Sequence, residues 1–286
     1  MSELRYEVWT ERREGLTRDL PDGQDEWRWV ANSATLILGE SEAVLVDTYA
    51  TIDQNDRLIE WVRGHGKRLA AVYLTHGHGD HAFGVAQLCA AFPEARILAM
   101  PGTVAELETQ ARPEWRDGFW GKLFPGRIPQ VELPDVLETG AFTVEGHEFV
   151  VIEAGDTDTT GTTSLWVPDL RLIVAGDVVY SQTYPYLAET TAATRLNWIA
   201  ALRRLEQLDA RHVVSGHKQP SGDDSAADIE ATIRYLEDIE EADARTATAI
   251  EFYEWMLAKQ PGRANVGSLW GAAKLLKGAP APTADA

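Results

Sequence analysis

Cysteine is almost missing from the chain: Cys89 is the only one in 286 residues. An internal disulfide and any thiolate metal cluster are therefore excluded. A metal ion held here must be held by histidine, aspartate or glutamate. Positive charge is scarce as well. Twenty-six lysines and arginines stand against 45 aspartates and glutamates, a net charge of -19, which repels nucleic-acid phosphates and anionic membrane surfaces. The expected partner is a small-molecule substrate, with no nucleic acid, no membrane, and a homodimer allowed. No apolar run approaches the length of a membrane span, and the opening MSELRYEVWTERREG holds no secretory apolar core. The expectation is a soluble cytoplasmic protein. Also absent are a Gly-x-Ser-x-Gly elbow to present a serine nucleophile and a Walker loop to cradle phosphates.

What is present suffices for a full core: 44% of residues are hydrophobic and no low-complexity linker interrupts them. One domain is expected over 1–276, with a helical extension from about 225 to 276 and a small, Pro-rich disordered tail at 277–286. WRWVANSATLILG and EAVLVDT read as strands, DQNDRLIEWVRGHG as a helix and LAAVYL as a buried strand. HAFGVAQLCAAF reads as helix, ARILAM as strand, and Pro101 opens a further helix. A second round follows, with strands in VLETGAFTVEGHEFVVIEAGDTD and TTSLWVPDLRLIVAGDVVY, a helix in TRLNWIAALRRLEQLD and a short strand in HVVSGH. This order predicts an α/β protein, two sheets packed face to face with helices outside.

LAAVYL leads directly into HGHGDH, three histidines and an aspartate in six positions. In an extended loop, residues two apart point the same way, so His76 and His78 can grip one ion while Asp80 and His81 project towards a second. Gly77 and Gly79 are expected to let the backbone turn tightly.

With these residues the chain resembles the metallo-β-lactamase fold superfamily, over about residues 27 to 220. The resemblance implies a four-layer αβ/βα sandwich and a dinuclear metal site. It assigns His76, His78, Asp80 and His81 as ligands, Asp177 of VAGDVVY as the bridging ligand and His217 of VVSGHKQP as the last. Asp47 of AVLVDT matches a motif whose aspartate is structural. One element departs from the family. Where a histidine is usual, this chain reads EAGDTDTTGTTSLWVP; alignment on the Gly-x-Thr frame puts Asp156 in the ligand position. Asp158 competes two residues later, and a weakened or lost first site is a third reading. A carboxylate there makes the centre less positive and its bound water less acidic. It also moves metal preference from zinc, the first expectation for the two divalent ions, towards iron or manganese.

Tyr180, three residues after Asp177, resembles a tyrosine that contacts the substrate carbonyl in lactonases of the superfamily, where a phenol can donate to a developing oxyanion. Tyr184 and Tyr186 compete for the same mouth, unranked. Trp115, Phe119, Trp120 and Phe124 suggest an aromatic lid, loop or broken helix, over an apolar substrate. The expected activity is hydrolysis of a small ester, lactone or related carbonyl compound, with Asp80 passing a proton to the leaving group. Two alternatives stay open: a diiron oxygen-dependent oxidoreductase and a metal-depleted, non-catalytic binding protein.

Overall fold

In the computed structural model, which describes residues 4–15, 17 and 19–278, the near-continuous apolar runs become central strands covered on both faces. The first sheet takes its strands in chain order: β1 (Arg5–Glu14), β2 (Trp29–Leu38), β3 (Glu42–Val46), β4 (Arg68–Leu74), β5 (Arg96–Ala99) and β6 (Asp135–Val136). β1 to β3 are antiparallel neighbours and β3 to β6 run parallel. The second sheet contains β7 (Ala141–Val144), β8 (His147–Gly155), β9 (Thr162–Val167), β10 (Leu172–Ser181) and β11 (His212–Lys218), in the order β11-β10-β9-β8-β7. Its strands are antiparallel except for the parallel pair β10 and β11.

Alternation along single strands builds the layers. Val44 and Val46 of β3 enter the core between the sheets, where they meet Phe142, Leu165 and Val174 of the second sheet. Ala43 and Leu45 point the other way, into a core shared with helices α1 (Ile52–Gly64), α2 (Gly79–Ala82), α3 (Val85–Ala91) and α4 (Pro101–Gln110). The same core takes Trp120 and Phe124 from a broken helix, made of α5 (Pro113–Trp115), a π-helical turn (Arg116–Trp120) and α6 (Gly121–Leu123). The outer face of the second sheet packs under α7 (Ala192–Glu206), α8 (Ala227–Arg245), α9 (Ala249–Lys259) and α10 (Val266–Leu276). The result is helix, sheet, sheet, helix, the expected four-layer sandwich.

Ile229, Ile233, Leu236 and Ile239, spaced for one helix face, are all buried on α8. The acidic stretch is two helices rather than one, because Thr248 and Glu251 form a capping box that starts α9 afresh. A charge-rich opening segment gave no strand signal, yet β1 pairs with β2 along its whole length, Arg5 opposite Leu38 to Glu14 opposite Trp29. An edge strand tolerates such charges because some reach solvent and others are paired, Glu11 with Arg57 and Arg13 with Asp80. Among the described residues no helix is long and apolar enough to cross a membrane. Residues 279–286 of the expected tail lie outside the described residues.

Candidate metal centre

The site is assembled at strand ends. Asp47, just past β3 with a left-handed φ of 65°, accepts from the Thr75 backbone at 2.8 Å and from the Thr75 hydroxyl at 2.8 Å. This ties the exit of β4 to its neighbour. Having given its proton to Asp47, the Thr75 hydroxyl can only accept from His76 Nδ1, 3.0 Å away. The free lone pair of His76 is thereby placed on Nε2, which is buried without a hydrogen-bond partner. Asp47 Oδ2 also lies 3.4 Å from His81 Nδ1, so Asp47 braces two rings and stays outside the donor cluster.

Gly77 and Gly79 do not have the positive φ that a tight glycine turn would use. Close packing requires them instead: a Cβ at Gly77 would stand 2.5 Å from the Leu107 backbone nitrogen, and one at Gly79 2.5 Å from the Phe83 ring. Gly176 is the position where backbone freedom matters. Its φ of 54° interrupts the β10 register just before Asp177.

The donors form two groups that share an aspartate. His76, His78 and Asp158 make one, with His78 Nδ1 at 3.1 Å and His76 Nε2 at 3.9 Å from Asp158 Oδ2. Asp80, His81 and His217 make the other, His217 Nε2 lying 3.7 Å from Asp80 Oδ2 and 3.4 Å from His81 Nε2. Asp177 stands between them, 3.3 Å from His81 Nε2 and 3.1 Å from His217 Nε2, and also groups with His76. None of the seven is more than 8% exposed.

Asp158, not Asp156, completes the first group, which corrects the sequence alignment. β8 ends at Gly155 with a φ of 80°, and Asp156 is turned out to solvent. Asp158 is fully buried; its Oδ1 accepts from the Thr157 hydroxyl at 2.8 Å and its Oδ2 faces the two histidines. Both aspartates precede a threonine, so counting forward from Gly155 selects the wrong one.

Three carboxylates buried together need positive charge nearby. His81 and Arg13 outweigh burial to hold Asp80 well below the usual carboxylate range, and His217 and His81 do the same for Asp177. Burial, reinforced by the charge of Asp177, pushes Asp158 up. His81 is raised to about 9, because the Asp177 charge and the nearby Asp47 carboxylate outweigh its burial. His78 is raised through Glu189 and Asp158, while burial and the neighbouring His81 press His76 down. Asp158 Oδ2 and Asp177 Oδ1 have no hydrogen-bond partner, like His76 Nε2. Buried donors of this kind are costly unless something completes them. Imidazole nitrogens with carboxylate oxygens are a donor set that fits divalent ions.

Three supporting residues carried no sequence signal. Arg13 Nη2 and Asn32 Nδ2 donate to Asp80 Oδ2 at 3.0 and 2.9 Å. Glu189 Oε1 lies 3.3 Å from His78 Nε2, and its Oε2 accepts from the Thr159 hydroxyl at 2.7 Å. Lys218, beside His217, is buried against Asp224.

A cavity of about 720 Å³ opens from the centre, with His78, Asp80, Asp177 and His217 on its floor and Trp115, Phe119 and Trp120 on one wall. Tyr180 is not on that wall, contrary to expectation. Its ring stacks on His217 at 5.5 Å and its hydroxyl donates to Asp177 Oδ2 at 2.5 Å, so it steadies the shared aspartate. Tyr184 is buried, with its hydroxyl on the Gln260 carbonyl at 2.7 Å. Tyr186 is the one that faces the cavity, its ring 5.7 Å from that of His78.

The sequence pattern of the metallo-beta-lactamase superfamily matches residues 27–217. A hydroxyacylglutathione hydrolase of Parasynechococcus marenigrum is 29% identical over 207 residues, covering 71% of this chain and 70% of that protein. One from Francisella tularensis subsp. holarctica is 31% identical over 80 residues, 26% of this chain and only 30% of the relative's own length. Among solved structures, a metallo-beta-lactamase family protein of Thermus thermophilus superposes with a TM-score of 0.61 at 20% identity, over 92% of this chain and 91% of that one. A metallo-beta-lactamase from Pontibacter korlensis gives 0.60 at 18% identity, over 82% and 100%. At such identities the structures speak for the fold alone.

Proposed function

Since the chain belongs to the metallo-beta-lactamase superfamily, we propose that it is a dinuclear metal-dependent hydrolase of a small ester, lactone or thioester. The observation that carries this reading is the pair of buried donor groups sharing Asp177, with unpartnered atoms on His76, Asp158 and Asp177. His76, His78 and Asp158 would hold one divalent ion, Asp80, His81 and His217 the other, and Asp177 both. Ions so held supply an activated water at neutral pH and a Lewis acid for the carbonyl.

The protein's own residues do the rest. Arg13 and Asn32 fix Asp80 at the cavity floor, where its carboxylate can take a proton and return it to the leaving group. Tyr186 takes the role that Tyr180 is too buried to fill: burial and Glu189 keep its phenol protonated, and turning that proton from Glu189 to a bound substrate would let it donate to a carbonyl oxygen. A third anionic ligand, Asp158, lowers the positive charge of the centre, which suits activated carbonyls better than amides.

Elemental analysis of protein purified without added metal, followed by a hydrolysis panel, tests this. Two ions per chain with turnover of esters or thioesters is the expected result; one ion or none, with no turnover, sinks it. A second reading follows from the hard oxygen donor of Asp158, which also suits iron. Two irons, visible absorbance and oxygen uptake with substrate would select oxidation over hydrolysis.

A further inference from the structure

The cavity has a second wall that the hydrolase reading does not use. Besides Trp115, Phe119, Trp120 and Leu123, the cavity is lined by Gly267, Ser268, Gly271, Ala272 and Leu275 of α10. Its two glycines have different reasons to be there. A Cβ at Gly267 would stand 2.7 Å from the Thr17 hydroxyl, so close packing explains that one. Among the described residues, a Cβ at Gly271 would meet nothing within 4 Å. Glycine inside a helix is less favourable than alanine, and no described neighbour or backbone torsion of α10 asks for it here. What its missing side chain leaves open is the cavity.

The charges of the wall point the same way. Among the described residues, its two cations are already paired: Arg13 with Asp80 at 3.0 Å, and Lys274 with Asp19 at 2.7 Å. The remaining Arg13 nitrogens, Nε and Nη1, are buried without a hydrogen-bond partner. Glu189 adds negative charge to the lining beyond the residues that would hold the ions. A substrate with several carboxylates, such as a glutathione thioester, finds no unpaired lysine or arginine among the described lining residues. An uncharged apolar group finds aromatic faces and a smooth helix, in a volume that takes a medium-sized ligand.

We propose that this cavity binds an uncharged alkyl or aryl acyl group of the substrate, and that Gly271 sets the size of group admitted. The proposal names the substrate class of the hydrolase reading and rests on it. The metal-loaded protein is assayed with acetyl, octanoyl and benzoyl thioesters of N-acetylcysteamine and with the same acyl groups on glutathione. Binding of the neutral, non-hydrolysable ketones 2-butanone and 2-undecanone is followed by tryptophan fluorescence. The expected result is kcat/KM for octanoyl or benzoyl exceeding acetyl by about tenfold or more, and the neutral thioesters exceeding their glutathione counterparts. Gly271→Leu, which improves helix propensity and so keeps the fold, is expected to cut octanoyl turnover and 2-undecanone binding by about tenfold. Acetyl turnover is expected to stay within about twofold. Turnover without length preference, unmoved by Gly271→Leu, overturns the proposal and leaves the hydrolase reading standing, as does a preference for glutathione thioesters. Ketone binding that Gly271→Leu abolishes, with no turnover of any of these thioesters or of the corresponding esters and lactones, sustains the cavity assignment and removes the hydrolase reading.

Discussion

The two halves of the donor cluster contain the same residue types, two histidines and an aspartate each, but differ in electrostatic backing. Behind His76, His78 and Asp158 stand acids: Glu189 lies 3.3 Å from His78 Nε2, and Glu106 falls within the same cluster. Behind Asp80, His81 and His217 the backing is mixed: Arg13 and Asn32 donate to the Asp80 carboxylate at 3.0 and 2.9 Å, while Asp47 lies 3.4 Å from His81 Nδ1. A carboxylate behind a histidine strengthens it as a ligand, whereas a guanidinium beside an aspartate competes with a metal for it. Equal ligand counts therefore do not make equal sites. The first half is the one expected to draw the first ion.

The sharpest way to break this comparison is to empty the first half. Asp158→Ala is expected to reduce metal content from two ions towards one and to lower hydrolysis by at least about a hundredfold. Asp156→Ala, a change at an exposed carboxylate, should leave both within about twofold. In the metal-free protein, Asp158→Ala removes one of three crowded acids and should leave the melting temperature unchanged or higher. That separates a ligand from a residue needed for folding. Equal effects of the two variants on metal content would remove the distinction between the aspartates.

The parts of the site legible in the sequence are those the chain delivers locally. His76, His78, Asp80 and His81 follow one buried strand, and Asp177 and His217 lie near the ends of two more. The sandwich was legible for the same reason, since apolar runs and turn residues mark central strands without any long-range information. Arg13 reaches Asp80 across 67 residues and Glu189 reaches His78 across 111. Only the pairing of β1 with β2 brings the former into place, and β1 has the composition of a solvated segment. The Asp156 error has a local cause as well: two Asp-Thr pairs stand two residues apart, and the torsion at Gly155 decides which faces inward. Tyr180 was placed at the right distance from Asp177 but on the wrong side of it.

Removing one charge from each backing sharpens the contrast, because the two effects should have opposite signs. Glu189→Gln keeps an acceptor for His78 and Arg13→Gln keeps a donor for Asp80. The first is expected to weaken binding of the first ion on the order of tenfold, and the second to tighten the second ion several-fold. Competitive chelator titration followed by cobalt absorption would resolve the two steps. If both variants weaken binding, hydrogen-bond geometry outweighs charge and the halves differ less than their surroundings suggest.

The smallest effect concerns the protein without metal, in which protons on the histidines do part of what ions would do. His81 is raised from its usual 6.5 to about 9 by Asp177 and Asp47 against the cost of burial, and His78 shifts in the same direction. A raised histidine contributes stability that is complete below the unfolded value and is lost as pH climbs through the folded one. The chelated protein should therefore lose stability between about pH 6.5 and 9, with a melting temperature lower by a few degrees. Asp80 and Asp177, both depressed, titrate far below this window and do not mask it. The metal-loaded protein should hold its melting temperature over the same range, since bound ions replace those protons. Calorimetry of both forms across the window checks this, and a flat or rising curve for the chelated protein would mean that the buried acids are balanced by something other than these two histidines.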